Sequence, residues 1–414
     1  MGREDERTMN TATGSMAPGA PSRAARLNIA LCFAVAVLEG FDIQAIGVAA
    51  PRLAAELGLA PERMAWVFFA SNLALVGGAS YGGWLADRIG RKPVFMAAVA
   101  AFGAFTLATA FAHDFWTLMA MRVGAGLGFG AALPNMMAVA ADISRPDRRA
   151  STATAMFCGL PAGGGCVALL TQVLPPDSDW RLLFVIGGVA PVLLLPALFF
   201  FMTETGARRA GEKAPSVGVW RALFGDGRAP ATLLVWTVFL PTTLILYLIL
   251  YWLPTLVTAK GLDRAVAPQA SLWFNFASVA GALILGRVTD RFGMRWPLTL
   301  AYVGLVAVLL LLAGASDLPV VLALSGAAGF CVLGANYAFN GVAASMYPPE
   351  MRGTGSGAAV AVGRVGSVIG PLLPGLMLSS GAGPNEIINL MAPAAFIAGA
   401  AVLALSFLPR GPTT

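Results

Sequence analysis

At 414 residues the chain could hold two or three soluble domains, but 57% of it is hydrophobic and only 12% charged, about half the charge of a soluble domain. That balance excludes a disordered protein, a nucleic-acid binder and a disulfide-stapled secreted scaffold. The net charge of +6 comes from cations set singly or in small groups between apolar runs, which is the pattern of a polytopic membrane protein.

Residues 1–26 are polar and mixed in charge, and are expected to form a disordered tail. Twelve apolar stretches follow, each close to the ~20 residues that a membrane-crossing helix needs. They fall at 27–50, 64–86, 93–112, 115–140, 151–174 and 181–203, then at 230–256, 268–288, 297–314, 318–344, 354–379 and 387–408. Barrel strands would alternate with period two, so the continuous apolar runs predict helices. The expected fold is all-α: two six-helix bundles, 27–203 and 230–408, joined by a polar linker at 204–229, with a tail at 409–414. Twenty of the 27 Lys and Arg lie on the side of the termini, so both termini are expected to be cytoplasmic.

The four cysteines lie in apolar runs without metal-ligand spacing and are expected to be small buried hydrophobes. His113 is the only histidine and sits in a short loop. No metal, cofactor or catalytic triad is expected, and an enzyme finds no support.

The chain repeats itself. GWLADRIGRK at 83–92 and GRVTDRFGMR at 286–295 align at an offset of 203, as do PDRRAS at 146–151 and PEMRGT at 349–354. Two matches at one spacing indicate a duplicated bundle, as in two-bundle transporters. Four charges fall at bilayer depth, where each costs about 2.5–3.5 kcal/mol to insert: Glu39, Asp42, Arg122 and Arg364. None is duplicated at that offset, which assigns them to function rather than scaffold. Asp42 and Arg122 come to about the same depth at ~1.5 Å per residue, so a pair between them is expected. Glu39 and Asp42 share a helix face. Two carboxylates so close do not both ionise cheaply, and either could hold a proton. Arg364, near the midplane of the other half, would take an anion.

The loop at 83–92 fits the G-x-x-x-D-R-x-G-R-K/R motif of the major facilitator superfamily, and the chain resembles that superfamily from about 27 to 408. The second copy has Met294 in place of one arginine. LEGFDIQAIGVAAP (38–51), RVGAGLGFGAALPN (122–135) and AVAVGRVGSVIGPLLPG (359–375) resemble the aromatic acid:proton symporter family. Glu39, where many members have Asp, and YLILYWLP (247–254) are more similar to its 3-(3-hydroxyphenyl)propionate transporter branch. The resemblance implies proton-coupled import of aromatic carboxylates by a monomer in the lipid bilayer of a bacterial inner membrane. An exporter, or a symporter of another organic anion or a sugar, is the alternative on the same fold. LPAGGG (160–165) resembles part of a drug-exporter motif and is expected to pack helices closely.

Glu39, Asp42 and Arg122 are then the proton-coupling set, with Arg364 on the carboxylate. Gln44, Trp66, Phe69, Tyr247, Tyr251, Asn336, Tyr337 and Asn340, with Trp273 and Asn275 beside them, are candidates for the ring and its substituents. Gly83, Asp87, Arg88, Gly90, Arg91, Asp142, Asp290, Arg291 and Arg352 are expected to gate the cytoplasmic side.

Overall fold

A computed structural model describes residues 23–143, 156–175, 178–202, 218–348 and 351–408. The first half holds α1 (Arg23–Glu56), α2 (Pro61–Ile89), α3 (Arg91–Thr109), α4 (Phe115–Ile143), α5 (Gly159–Val173) and α6 (Arg181–Phe201). After the short α7 (Val219–Phe224) come α8 (Ala229–Ala259), α9 (Ala267–Phe292), α10 (Arg295–Gly314), α11 (Leu318–Ser345), α12 (Arg352–Ile369), α13 (Leu372–Ser379) and α14 (Pro384–Leu405). Five of these carry a proline at one of their first two positions, where a missing N–H costs nothing.

Among the described residues, eleven helices are long and apolar enough to cross a membrane, counting α12 and α13 as one. The expected fifth span, 151–174, has only the 15-residue α5 among the described residues. The expected span 354–379 is broken at Gly370–Pro371, where proline cannot continue the hydrogen-bond ladder. The Pro371 carbonyl accepts the Trp252 indole N–H at 2.7 Å. The first helix begins four residues before the expected 27. Cys32 alone among the cysteines is fully buried; Cys158 and Cys331 are half-buried and Cys166 is exposed, because an apolar run in a membrane faces lipid as well as core.

Helices in lipid gain little from hydrophobicity and pack through small residues. A methyl on Gly78 would strike the Leu127 carbonyl, one on Gly126 the Ser71 carbonyl, and one on Gly163 the Val37 carbonyl. Each contact recurs with both partners moved by the repeat offset: Gly281 on Phe330, Gly329 on Phe274 and Gly366 on Leu240. The duplication therefore extends to the packing of α2 on α4, α1 on α5, and their counterparts. The turns after α2 and α9 are duplicated too, with Gly90 at φ 98° and Gly293 at φ 78°, a backbone that glycine adopts without strain.

The halves meet on the side away from the termini. Gly47 of α1 lies against the Leu250 and Tyr251 carbonyls of α8, and Gly375 of α13 against Pro61 and Ala65 of α2. The Ser379 hydroxyl accepts the Glu62 N–H at 3.1 Å. Gln172 at the end of α5 accepts from Gln269 of α9 at 2.8 Å.

Candidate functional site

α1 brings Glu39 and Asp42 to the interior, and α4 brings Arg122; all three are fully buried. Arg122 grips Asp42 with two nitrogens, at 2.9 and 2.6 Å, the fork geometry that makes such pairs strong. The Thr106 hydroxyl of α3 donates to Asp42 at 2.7 Å, and the Phe184 ring lies 5.8 Å from the guanidinium carbon. Asp42 is thereby fully partnered. Glu39, one turn earlier, has no hydrogen-bond partner on either carboxylate oxygen among the described residues. The charges that reach it are Arg364 from the other half and Asp42 on its own helix.

Arg364 is half-buried on α12. Its backbone is tied to α8 where the Thr243 hydroxyl donates to the Gly363 carbonyl at 2.6 Å. Among the described residues its guanidinium makes one long contact, 3.4 Å to the Tyr247 hydroxyl, which leaves most of its donors available. Tyr337, also half-buried, donates to the Phe157 carbonyl across the halves at 3.1 Å. Glu39, Arg364, Tyr247 and Tyr337 thus gather from both halves.

Other expected site residues are elsewhere. Gln44 is closed in a reciprocal amide pair with Asn275, 2.7 Å each way, in space left by Gly164. It joins α1 to α9 rather than facing the site. Tyr251 is sealed between the halves, its ring 4.8 Å from Phe68 and 6.4 Å from Tyr247. Trp66 is 40% exposed and packs edge-on to Phe69, while Trp273 is 54% exposed. Trp66 turns outward because the inner face of α2 runs through Met64, Phe68, Ser71, Asn72, Leu75, Gly78 and Gly82, and Trp273 because that of α9 runs through Ala270, Phe274, Ser278 and Gly281. Asn340 spends its amide on the Asn336 carbonyl of its own helix at 2.8 Å. Asn336 is half-buried.

At the loops, Arg88 stacks 3.9 Å over Trp84, Arg291 lies 5.3 Å from the Phe292 ring, and Arg352 donates to the Tyr347 carbonyl at 3.3 Å. Asp290 is exposed. Gly83 faces Pro134 of α4, and Asp87 and Arg91 are engaged by neighbours. The side chain of Asp142 and the PDRRAS segment lie outside the described residues.

Thr106, Phe68, Asn72 and Trp252 are absent from the sequence expectations. The small and polar residues at helical spacing on α2 were the available signal for Phe68 and Asn72.

The sequence model described as Major Facilitator Superfamily matches residues 32–277 and 269–414. The chain belongs to that superfamily. It is 38% identical to the 3-(3-hydroxy-phenyl)propionate transporter of Escherichia coli K12, over 94% of this chain and 96% of that one. It is 33% identical to the gallate transporter of Pseudomonas putida, over 91% of each. With the 4-hydroxybenzoate transporter of Pseudomonas aeruginosa it shares 30%, again over 91% of each. A crystal structure of a bacterial homolog to the human lysosomal transporter Spinster superposes with a TM-score of 0.73 at 16% identity, covering 93% of this chain and 97% of that one; this is a likeness of fold. As a member of this superfamily, the chain is a multi-pass membrane transporter and not an enzyme.

Proposed function

We propose that the protein imports aromatic carboxylates with protons across a bacterial plasma membrane, with its termini in the cytoplasm and working as a monomer by alternating access. One observation carries the reading. Arg364, a guanidinium with most donors available, faces Glu39 from the other half, and Glu39 is a buried carboxylate with no hydrogen-bond partner among the described residues. A carboxylate buried without a donor is held more cheaply as the neutral acid, so Glu39 is suited to load and release a proton. Asp42 and Arg122 neutralise each other. A substrate anion on Arg364 together with a proton on Glu39 leaves the site balanced. An anion entering against an inside-negative potential meets about 2.3 kcal/mol per 100 mV, which one accompanying proton cancels.

The named substrates of the three relatives are all aromatic acids, which supports the substrate class. Gly83–Lys92 and its repeat act as the cytoplasmic gate, and Tyr247 and Tyr337 flank the substrate. The test is uptake of labelled aromatic acids into proteoliposomes under an imposed pH gradient. Accumulation that collapses with a protonophore is expected. Uptake indifferent to the gradient contradicts proton coupling, and no uptake of any aromatic acid contradicts the substrate class.

A further inference from the structure

On the side away from the termini, directly above the seal, a cleft of about 30 Å³ remains between the two halves. Its walls come from the end of α1, the end of α5, the 178–183 segment, Pro254 of α8 and the 264–268 segment before α9. Two guanidinium groups line it from opposite halves, Arg52 of α1 and Arg264 of the α8–α9 connection. Arg52 spends one nitrogen on the Ser178 carbonyl at 3.1 Å. Arg264 has no hydrogen-bond or ion-pair partner among the described residues.

Among the described residues, the acids nearby each have a partner. Asp179, which also lines the cleft, accepts the Arg181 N–H at 2.9 Å and meets that residue's guanidinium at 3.4 Å. Asp263 accepts the Ala265 N–H at 2.9 Å. The rest of the wall mixes the polar Thr171 and Ser178 with apolar residues such as Val48, Pro51, Leu174 and Pro268. A polar cleft of this volume is about twice what a single water requires. It has room for the head of an oxyanion and none for a benzene ring.

We propose that this cleft is a second anion site, which takes a carboxylate head between Arg52 and Arg264 and holds the outer face shut. The two arginines line one cleft only while the halves are together on this side. An anion that binds this arrangement better than the open one shifts the population toward it. The site therefore acts as a brake set by the outside anion concentration, separate from the transport site at Arg364. The inference rests on the alternating-access reading but not on the identity of the transported acid.

The experiment uses the full chain in proteoliposomes, with spin labels at Ala60→Cys and Ser380→Cys, one on each half of the outer face. The distance distribution is followed while sodium acetate or sodium benzoate is titrated at constant ionic strength. A saturable rise in the short-distance population with either acid is expected, because only the carboxylate head is recognised. Arg52→Gln and Arg264→Gln should each raise the half-saturating concentration at least tenfold. Arg264 is exposed and Arg52 half-buried, and either variant alone suffices to test the site. A response to neither acid, or one unchanged in both variants, overturns the proposal. A response to benzoate alone that disappears in Arg364→Lys belongs to the transport site and also overturns it. Failure of the substrate reading looks different: benzoate uptake is absent while the acetate response and its dependence on Arg264 persist.

Discussion

Glu39 and Asp42 stand three residues apart on one helix and are treated in opposite ways by their surroundings. Asp42 has a bidentate guanidinium and a hydroxyl; Glu39 has neither. Glu39→Gln should therefore abolish accumulation driven by a pH gradient yet keep substrate binding and exchange of labelled for unlabelled substrate. Asp42→Asn should instead strand Arg122 and lower stability by about 3–5 kcal/mol, seen as a fall in the thermal unfolding midpoint. Full proton-driven accumulation by Glu39→Gln removes that residue from coupling. Arg364→Lys keeps the charge but loses the fork that fits a carboxylate, so substrate affinity should drop by at least about tenfold, or ~1.4 kcal/mol. Wild-type affinity in a direct binding titration would take Arg364 out of the carboxylate site.

Elements carry the duplication more faithfully than residues do. Gly78→Val and Gly281→Val should each destabilise the protein by about 1–3 kcal/mol, the usual cost of overpacking, and by similar amounts, because each faces a backbone carbonyl at the equivalent helix contact. Unequal denaturation midpoints for the two variants would separate the halves energetically. Asp87→Asn, at the end of α2, should slow turnover while substrate affinity stays within a few fold. A loss of equilibrium binding as large as the loss of transport would make that loop part of the site. The helices, their order and the repeat were legible because apolar run length and glycine turns are local signals. The buried charges were legible because burial of charge is costly anywhere along a span. The direction of the aromatics was not: Trp66 and Trp273 turn outward while Phe68 turns inward, and in lipid both choices are apolar. The break at Gly370–Pro371 had a visible proline. Its stabilising partner, Trp252, comes from a helix more than a hundred residues away, and no local pattern marks it.

At the scale of the whole molecule, the halves are joined on the face opposite the termini by α1 with α8, α2 with α13 and α5 with α9. On the proposed alternating-access mechanism these contacts have to part. Gln172→Cys and Gln269→Cys bridged by a short bifunctional thiol reagent should stop uptake, and reductive release should restore it; undiminished uptake with the bridge in place would mean that the halves do not separate there. The chemistry of those contacts has a further consequence. Gln44 with Asn275, Gln172 with Gln269, the Ser379 hydroxyl and glycines laid on carbonyls contain no group that gains or loses a proton at physiological pH. On the proposed mechanism external acidity acts through Glu39, a buried carboxylate with no hydrogen-bond partner among the described residues, without loosening the door it has to pass.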